Sequence, residues 1–402
     1  MEVTEKVVPV AIVSAEERRQ YEKATPMWKI VFTQFLEHRM AVIGSIIIVL
    51  FMAIALAAPL IQSVTGLDPD AQNVFNRYQK PFSRATAGQD VRENTIEKYI
   101  RDNPVAAAAL ETTLREKSLV TNPSPGEALY ELTSKQLSDA LNVLDQAGTA
   151  EARELKKTFK TFDSYHIFGT DELGRDVFIR LIYGTRISMT VGVLVAIVSA
   201  FVGLLIGALA GFYGGMVDNA LMRVTDALIS LPLLPVMIVI AAIDMQKLPW
   251  LKSMISTQNE SIVKMVLILC LFSWMTVARL VRGSILSLRE REFILASRTL
   301  GATDFTIIVR HMFPNVIAPM LVSITLGVGE SILFEAALSF LGLGIQPPTP
   351  SWGNMLFNAQ ELIYQAPFLA ILPGVMILLT VISFNYLGDG LQDAVDPKTI
   401  RR

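Results

Sequence analysis

Two carboxylates stand out for what they could do. Glu330 and Glu335 lie in the stretch 316–343, which carries no other charge and is long enough to cross a bilayer. An ionisable group at membrane depth is costly, and it persists where it pairs, faces an aqueous path or handles cargo. Ser331 and Ser339 each sit four positions from Glu335 and can hydrogen-bond it. That favours Glu335 as a buried clasp between helices. Glu330 is five positions earlier and faces another side of the same helix. For it two readings stay open: the wall of a transport pathway, or a second clasp. A further charged set, Asp218, Arg223 and Asp226, opens another apolar stretch. Arg223 and Asp226 are three apart and can pair on one helical face, so anchoring a helix end is favoured over touching a substrate.

No set for covalent or hydrolytic chemistry accompanies these groups. The apolar stretches hold no Ser–His pair, no HExxH and no paired-aspartate motif, and the chain has no GxxxxGK[ST] phosphate loop. The GDG at 388–390 lacks the pattern of an intramembrane protease and reads as part of a terminal cap. His38, His166 and His311 are far apart, and Cys270 is the single cysteine, so neither a metal site nor an internal disulfide is expected. The expectation is a chain with no catalytic residue and no cofactor of its own.

The elements that must position the carboxylates are membrane helices. The 402 residues are 52% apolar and 18% charged, where a soluble domain is about a quarter charged. Net charge is −2, which gives no basic field for nucleic acid. Uncharged or nearly uncharged stretches at 40–61, 187–213, 227–243, 265–278, 316–343 and 366–387 predict six transmembrane helices. Pro232 and Pro235 interrupt the third. Lys and Arg concentrate in 1–39, in 282–310 and at the end of the chain, while 344–365 has none. By the positive-inside rule the basic segments, and with them both termini, are cytoplasmic. The first stretch is too long for a cleaved signal peptide. Residues 1–39 then form a cytoplasmic segment, 40–61 the first span, 62–165 an extracytoplasmic insert, and 166–402 the core. The insert is polar, with helix-forming runs and leucines at helical spacing, and it shows no nucleophile, metal cluster or phosphate loop. Docking, lid and spacer roles stay open for it. Gly169, Asp171, Gly174, Arg175 and Asp176 form a polar outer turn that either braces the helix after it or meets a partner.

Between the fourth and fifth spans lies EFILASRTLGATDFTIIVRHMFPN, 292–315, within a cytoplasmic loop taken as 284–315. Its first half has helical spacing, with Ile294, Leu295 and Ala296 packed near one another, and Gly301 suits a C-terminal turn. Thr303 or Asp304 can start a second helix, and Pro314 marks the start of the fifth span. This helix-turn-helix is expected to display Phe305, Ile307 and Ile308 beside charged residues, a surface suited to a groove on another protein. From the residues alone, an amphipathic helix lying on lipid headgroups is the simpler reading.

That stretch resembles the cytoplasmic coupling motif of ABC importer permeases. HIFGTDELGRDVFIRLIYGTRISM (166–189), GFYGGMVDNALMRVTDALISLP (211–232), FEAALSFLGLGIQPPTPSWGNML (334–356) and FNYLGDGLQDAVDP (384–397) resemble, in order, segments of the dipeptide, oligopeptide and nickel importer permeases. The chain departs from the general motif at Leu295, where an acid is usual; Glu292, one turn earlier, is where the peptide subfamily carries its acid. Ser297 replaces a usual alanine, and the insert is larger than is typical. The resemblance implies an all-α polytopic membrane protein of the type I ABC importer permease fold with a helical insert. It implies a bacterial inner-membrane location, a homologous permease subunit, an extracytoplasmic binding protein and two cytoplasmic ATPases that bind ATP and Mg. Glu292, Ala296, Ser297, Gly301, Ala302 and Pro314 would meet an ATPase; for Glu330 the clasp and the path stay open, and on the path it would meet a peptide's amino end. The cargo stays open among dipeptides, longer peptides, glutathione-like peptides and nickel or other small solutes. A stand-alone secondary transporter is the competing class, but it usually shows internal repeats, and none is visible here.

Overall fold

The structure, a computed structural model, describes residues 27–72, 76–86, 163–243 and 260–395, together with seven helical positions between 101 and 115. The insert helices expected further along lie outside the described residues. A short helix α1 (Met27–Glu37) leads into α2 (Arg39–Thr65), and α3 (Val177–Tyr213) follows the insert. Then come α4 (Gly215–Ile229), α5 (Leu233–Ala241), α6 (Glu260–Arg289) and α7 (Glu292–Thr299). The chain ends with α8 (Phe313–Phe340), α9 (Trp352–Ala359) and α10 (Phe368–Val395).

Among the described residues, five helical stretches are long and apolar enough to cross a membrane: α2, α3, α6, α10 and Asp304–Phe340, which contains α8. The sixth expected span, 227–243, is not one helix. It is the meeting of α4 and α5, bent by 82° at a break around Pro232. Proline lacks an N–H and its ring clashes with the carbonyl four residues back, so the helix stops and restarts in a new direction. Before α8, residues Ile307–Met312 form a π-helical turn. The same two properties of Pro314 account for a locally widened ladder just upstream of it.

α3 is the central pillar and packs along α6 and α8, while α10 packs on α2 and α8. The α3–α6 contact is close because glycine repeats every fourth residue. A Cβ on Gly203 would lie 2.6 Å from Val277 Cβ, and one on Gly207 2.5 Å from the Ala278 carbonyl oxygen. Where lipid surrounds the bundle, such small-residue seams let backbones approach and gain dispersion contacts. Trp352 of α9 is fully buried beside Phe51, Leu181 and Ile332, which draws α2, α3 and α8 together. The outward faces carry large apolar side chains such as Leu56 (79% exposed) and Phe201 (61%), as lipid contact requires.

Two short strands qualify the all-helical expectation. β1 (Ser83–Thr86) pairs antiparallel with β2 (Asp163–His166), placing Ser83 opposite His166 and Thr86 opposite Asp163. The insert therefore departs and returns at one point.

Candidate functional site

The C-terminal ends of α3 and α6 and the N-terminal end of α8 meet at an elbow. α6 stops at Arg289 and α7 begins at Glu292. Ile294 is buried with Phe212, Ile285, Ile307 and Met312, which seats α7 on the bundle. The Arg298 guanidinium stands 5.6 Å over the Phe212 ring, and Arg289 Nη1 donates to the Phe212 carbonyl at 3.4 Å. Gly301 turns the chain at φ +83°, in the left-handed region that favours glycine. The Leu300, Gly301 and Ala302 N–H groups donate to the carbonyls of Ala296, Arg298 and Ser297. Thr303 then accepts from the Thr306 N–H at 3.3 Å and starts the helical run into α8.

The expected display is right in kind and wrong in detail. Leu295 and Ala296 do not pack with Ile294; they are exposed, because successive helical residues point about 100° apart. Ile307 is fully buried and Ile308 half-buried. Phe305 (76% exposed) is displayed as expected, and Phe293, Leu295, Leu300 (88%) and Val309 complete the apolar surface. Glu292 is exposed on the first turn of α7, Ser297 Oγ donates to the Phe293 carbonyl at 2.8 Å, and Pro314 sits in the first turn of α8.

The two membrane carboxylates separate. Glu335 is fully buried. Ser339 Oγ donates to its Oε1 at 2.8 Å and Ser188 Oγ to its Oε2 at 3.0 Å. Ser188 Oγ also accepts the Trp352 N–H at 3.3 Å, so one carboxylate links α8, α3 and the start of α9. Ser331 takes no part; its hydroxyl donates to the Gly327 carbonyl. Glu330 is exposed on the surface of this chain, with no hydrogen bond or ion pair among the described residues. No sequence signal linked Ser188 to Glu335, because the two are 147 positions apart.

Arg223 and Asp226 do not pair. Asp226 accepts from Arg279 Nη2 at 2.5 Å, and Asp218 takes a two-point contact from Arg282, Nε at 2.5 Å and Nη2 at 2.7 Å. Both arginines are on α6, so a tertiary contact displaces the local pair. Arg223 is left exposed at a cleft of about 480 Å3 between α4 and α6.

At the opposite end of α3 the polar turn is built into the fold. Asp176 caps α3 by accepting the Ile179 N–H at 3.1 Å and meets His166 Nδ1 at 2.7 Å. Asp171 accepts the N–H groups of Leu173 and Arg175 and the Arg175 Nε at 2.7 Å. Gly169 has φ +78°, and a Cβ there would stand 2.2 Å from the Gln79 carbonyl oxygen. Gly174 is also left-handed, at +71°. Arg180, missed in the sequence, is buried, donates to the Pro69 carbonyl at 2.9 Å and lies 3.5 Å from Asp171. Burial, with the nearby Asp171 charge, pushes the Glu172 carboxyl up. With Asp171, Arg175 and Asp176 all buried, this turn braces the top of α3 against the segment after α2.

Comparison with known proteins adds a family to this geometry. Residues 203–401 match the family described as "Binding-protein-dependent transport system inner membrane component". Residues 26–81 match "N-terminal TM domain of oligopeptide transport permease C". The glutathione transport system permease proteins GsiD of Shigella boydii serotype 4 and of Shigella sonnei are each 42% identical over 233 residues, 58% of this chain and 72% of theirs. A solved structure of the MetNI methionine ABC transporter in inward-facing conformations is 18% identical, with a TM-score of 0.43, over 55% of this chain and 98% of that one.

Proposed function

We propose a function from this premise: the chain belongs to the binding-protein-dependent ABC importer permeases of the peptide and oligopeptide family. It is a transport permease of the inner membrane and not an enzyme. In our reading it forms one half of a pathway with a homologous permease subunit, and an extracytoplasmic binding protein delivers the cargo. Two cytoplasmic ATPases bind ATP and Mg and supply the work. Both termini and the elbow face the cytoplasm. The likeness to GsiD favours small peptides of the glutathione kind as cargo.

The observation that carries this reading is the elbow's exposed apolar surface. Leu300 and Phe305 project almost fully from a segment whose other side is anchored among Ile285, Ile294, Ile307 and Met312. An exposed apolar patch rimmed by charge marks a protein contact, and a firmly seated base lets a partner's movement pass into α6 and α8. Glu292 and Ala296 lie on the same exposed stretch, and the turn at Gly301 sets its shape.

Ala296→Trp and Gly301→Val are expected to abolish uptake of labelled glutathione while the chain still inserts in the membrane. Loss of ATPase subunits on co-purification should accompany the loss of uptake. Normal uptake by either variant would refute the docking role. Uptake by the wild-type chain without any ATPase would favour an ion-driven carrier instead, and uptake of nickel chelates alone would move the cargo to the metal branch of the family.

A further inference from the structure

The four charged side chains between α4 and α6 have a use beyond holding a helix end. We infer that the pairs Asp218–Arg282 and Asp226–Arg279 are struts that carry motion of the elbow to α4 and swing it. The inference rests on the importer reading and adds the route by which force leaves the elbow; the four act as positioning residues.

α4 is built to move. Only Met222 and Thr225 of its fifteen residues are buried. At its start, Gly214 and Gly215 both have positive φ, +65° and +54°, and a Cβ on Gly215 would meet nothing within 4 Å. At its end comes the 82° break into α5, where Pro232 has no N–H to continue the ladder. A helix with a joint at each end and little burial belongs to the low-stability part of a fold.

Two charge pairs tie α4 to α6. On α4 the two carboxylates are eight residues apart, about 12 Å along the axis, whereas the arginines on α6 are three apart, about 4.5 Å. The two helices therefore do not run as a parallel seam. Two separated contacts fix the angle of α4 against α6, where one would fix only a position. Asp218 and Arg282 are joined at two points in a fork-to-fork contact, the geometry that transmits direction as well as attraction. Two of the three guanidiniums lining the cleft are already paired with carboxylates, so the cleft is a joint and not an anion site.

The other end of the linkage is stiff. Two residues, Glu290 and Arg291, separate α6 from α7, and Ile285 of α6 shares a buried cluster with Ile294 of α7. Arg282 lies one turn above Ile285. Displacement of the elbow therefore moves the arginines as one body with it, and α4 must turn about its two joints to keep both pairs.

The test uses the assembled complex in proteoliposomes, with labelled glutathione and labelled trialanine as probes, and reads peptide moved per ATP hydrolysed. Asp218→Arg and Arg282→Asp, each alone, should lower that ratio at least about five-fold in complexes that assemble. Combining them reverses the pair and should bring the ratio back to within about two-fold of wild type. Asp226→Asn, which keeps size and shape, should also lower it and serves if the reversed chain does not assemble. Single variants with the wild-type ratio, or an assembled double variant that stays uncoupled, would overturn the struts. If the wild-type complex moves neither peptide nor a nickel chelate under ATP, the importer reading falls and takes the struts with it. If wild type transports and every variant keeps its ratio, the struts alone fall.

Discussion

Glu330 and Glu335 stand about one and a half turns apart on one helix, and their surroundings give them opposite tasks. Glu335 is fully buried and accepts from the hydroxyls of Ser188 and Ser339, so it is a fastener; a buried carboxylate left without such donors would be strongly disfavoured. Glu335→Ala should cost about 3 kcal/mol, since two hydroxyls lose their acceptor and a cavity opens at the junction of α3, α8 and α9. A lowered unfolding midpoint in detergent would register it. Glu330→Gln breaks no hydrogen bond or ion pair among the described residues and should leave that midpoint almost unmoved. Its expected effect is on uptake, where peptides with a free amino end should slow more than those with a blocked one. Equal rates for every peptide would remove Glu330 from the pathway.

At the scale of elements, the fold depends on how closely α3 and α6 approach. Gly203 and Gly207 face Val277 and Ala278 with no room for a methyl group, and at Gly207 the obstacle is a backbone oxygen that cannot rotate away. Gly207→Val should therefore destabilise by about 1–3 kcal/mol through overpacking. It should also weaken coupling, because α6 is the member between the elbow and α4. A thermal unfolding curve unchanged from wild type would show that the seam relaxes more readily than its geometry indicates. The β1–β2 pair acts at the same scale. It ties 83–86 to 163–166, just ahead of α3.

The whole molecule has two chemically different ends. One end shows the elbow with Leu300; the other shows the turn after α9, where Tyr364 is 97% exposed. Cys270 is the only thiol, so a Cys270→Ser background allows single cysteines to report sidedness. Leu300→Cys should react with an impermeant maleimide only in inside-out vesicles, and Tyr364→Cys only in intact spheroplasts. The opposite pattern would invert the topology and remove the elbow from any cytoplasmic partner.

Much of this was legible along the chain, and the reason is the solvent. A bilayer demands about 20 apolar residues per crossing, so the spans at 40–61, 187–213 and 366–387 appear as composition alone. The elbow was legible because its turn at Gly301 and its cap at Thr303 are local, written within a few residues. Packing decided the rest. Arg223 and Asp226 satisfied the spacing rule for a pair, yet each α4 carboxylate found an α6 arginine that could reach it with better geometry. Ser331 and Ser188 exchanged roles at Glu335 for the same reason, and Ile307 turned inward because the inner cluster needed its volume. Spacing tells which neighbours a helix offers; which partner wins is settled only when distant helices are brought to within a hydrogen bond's length.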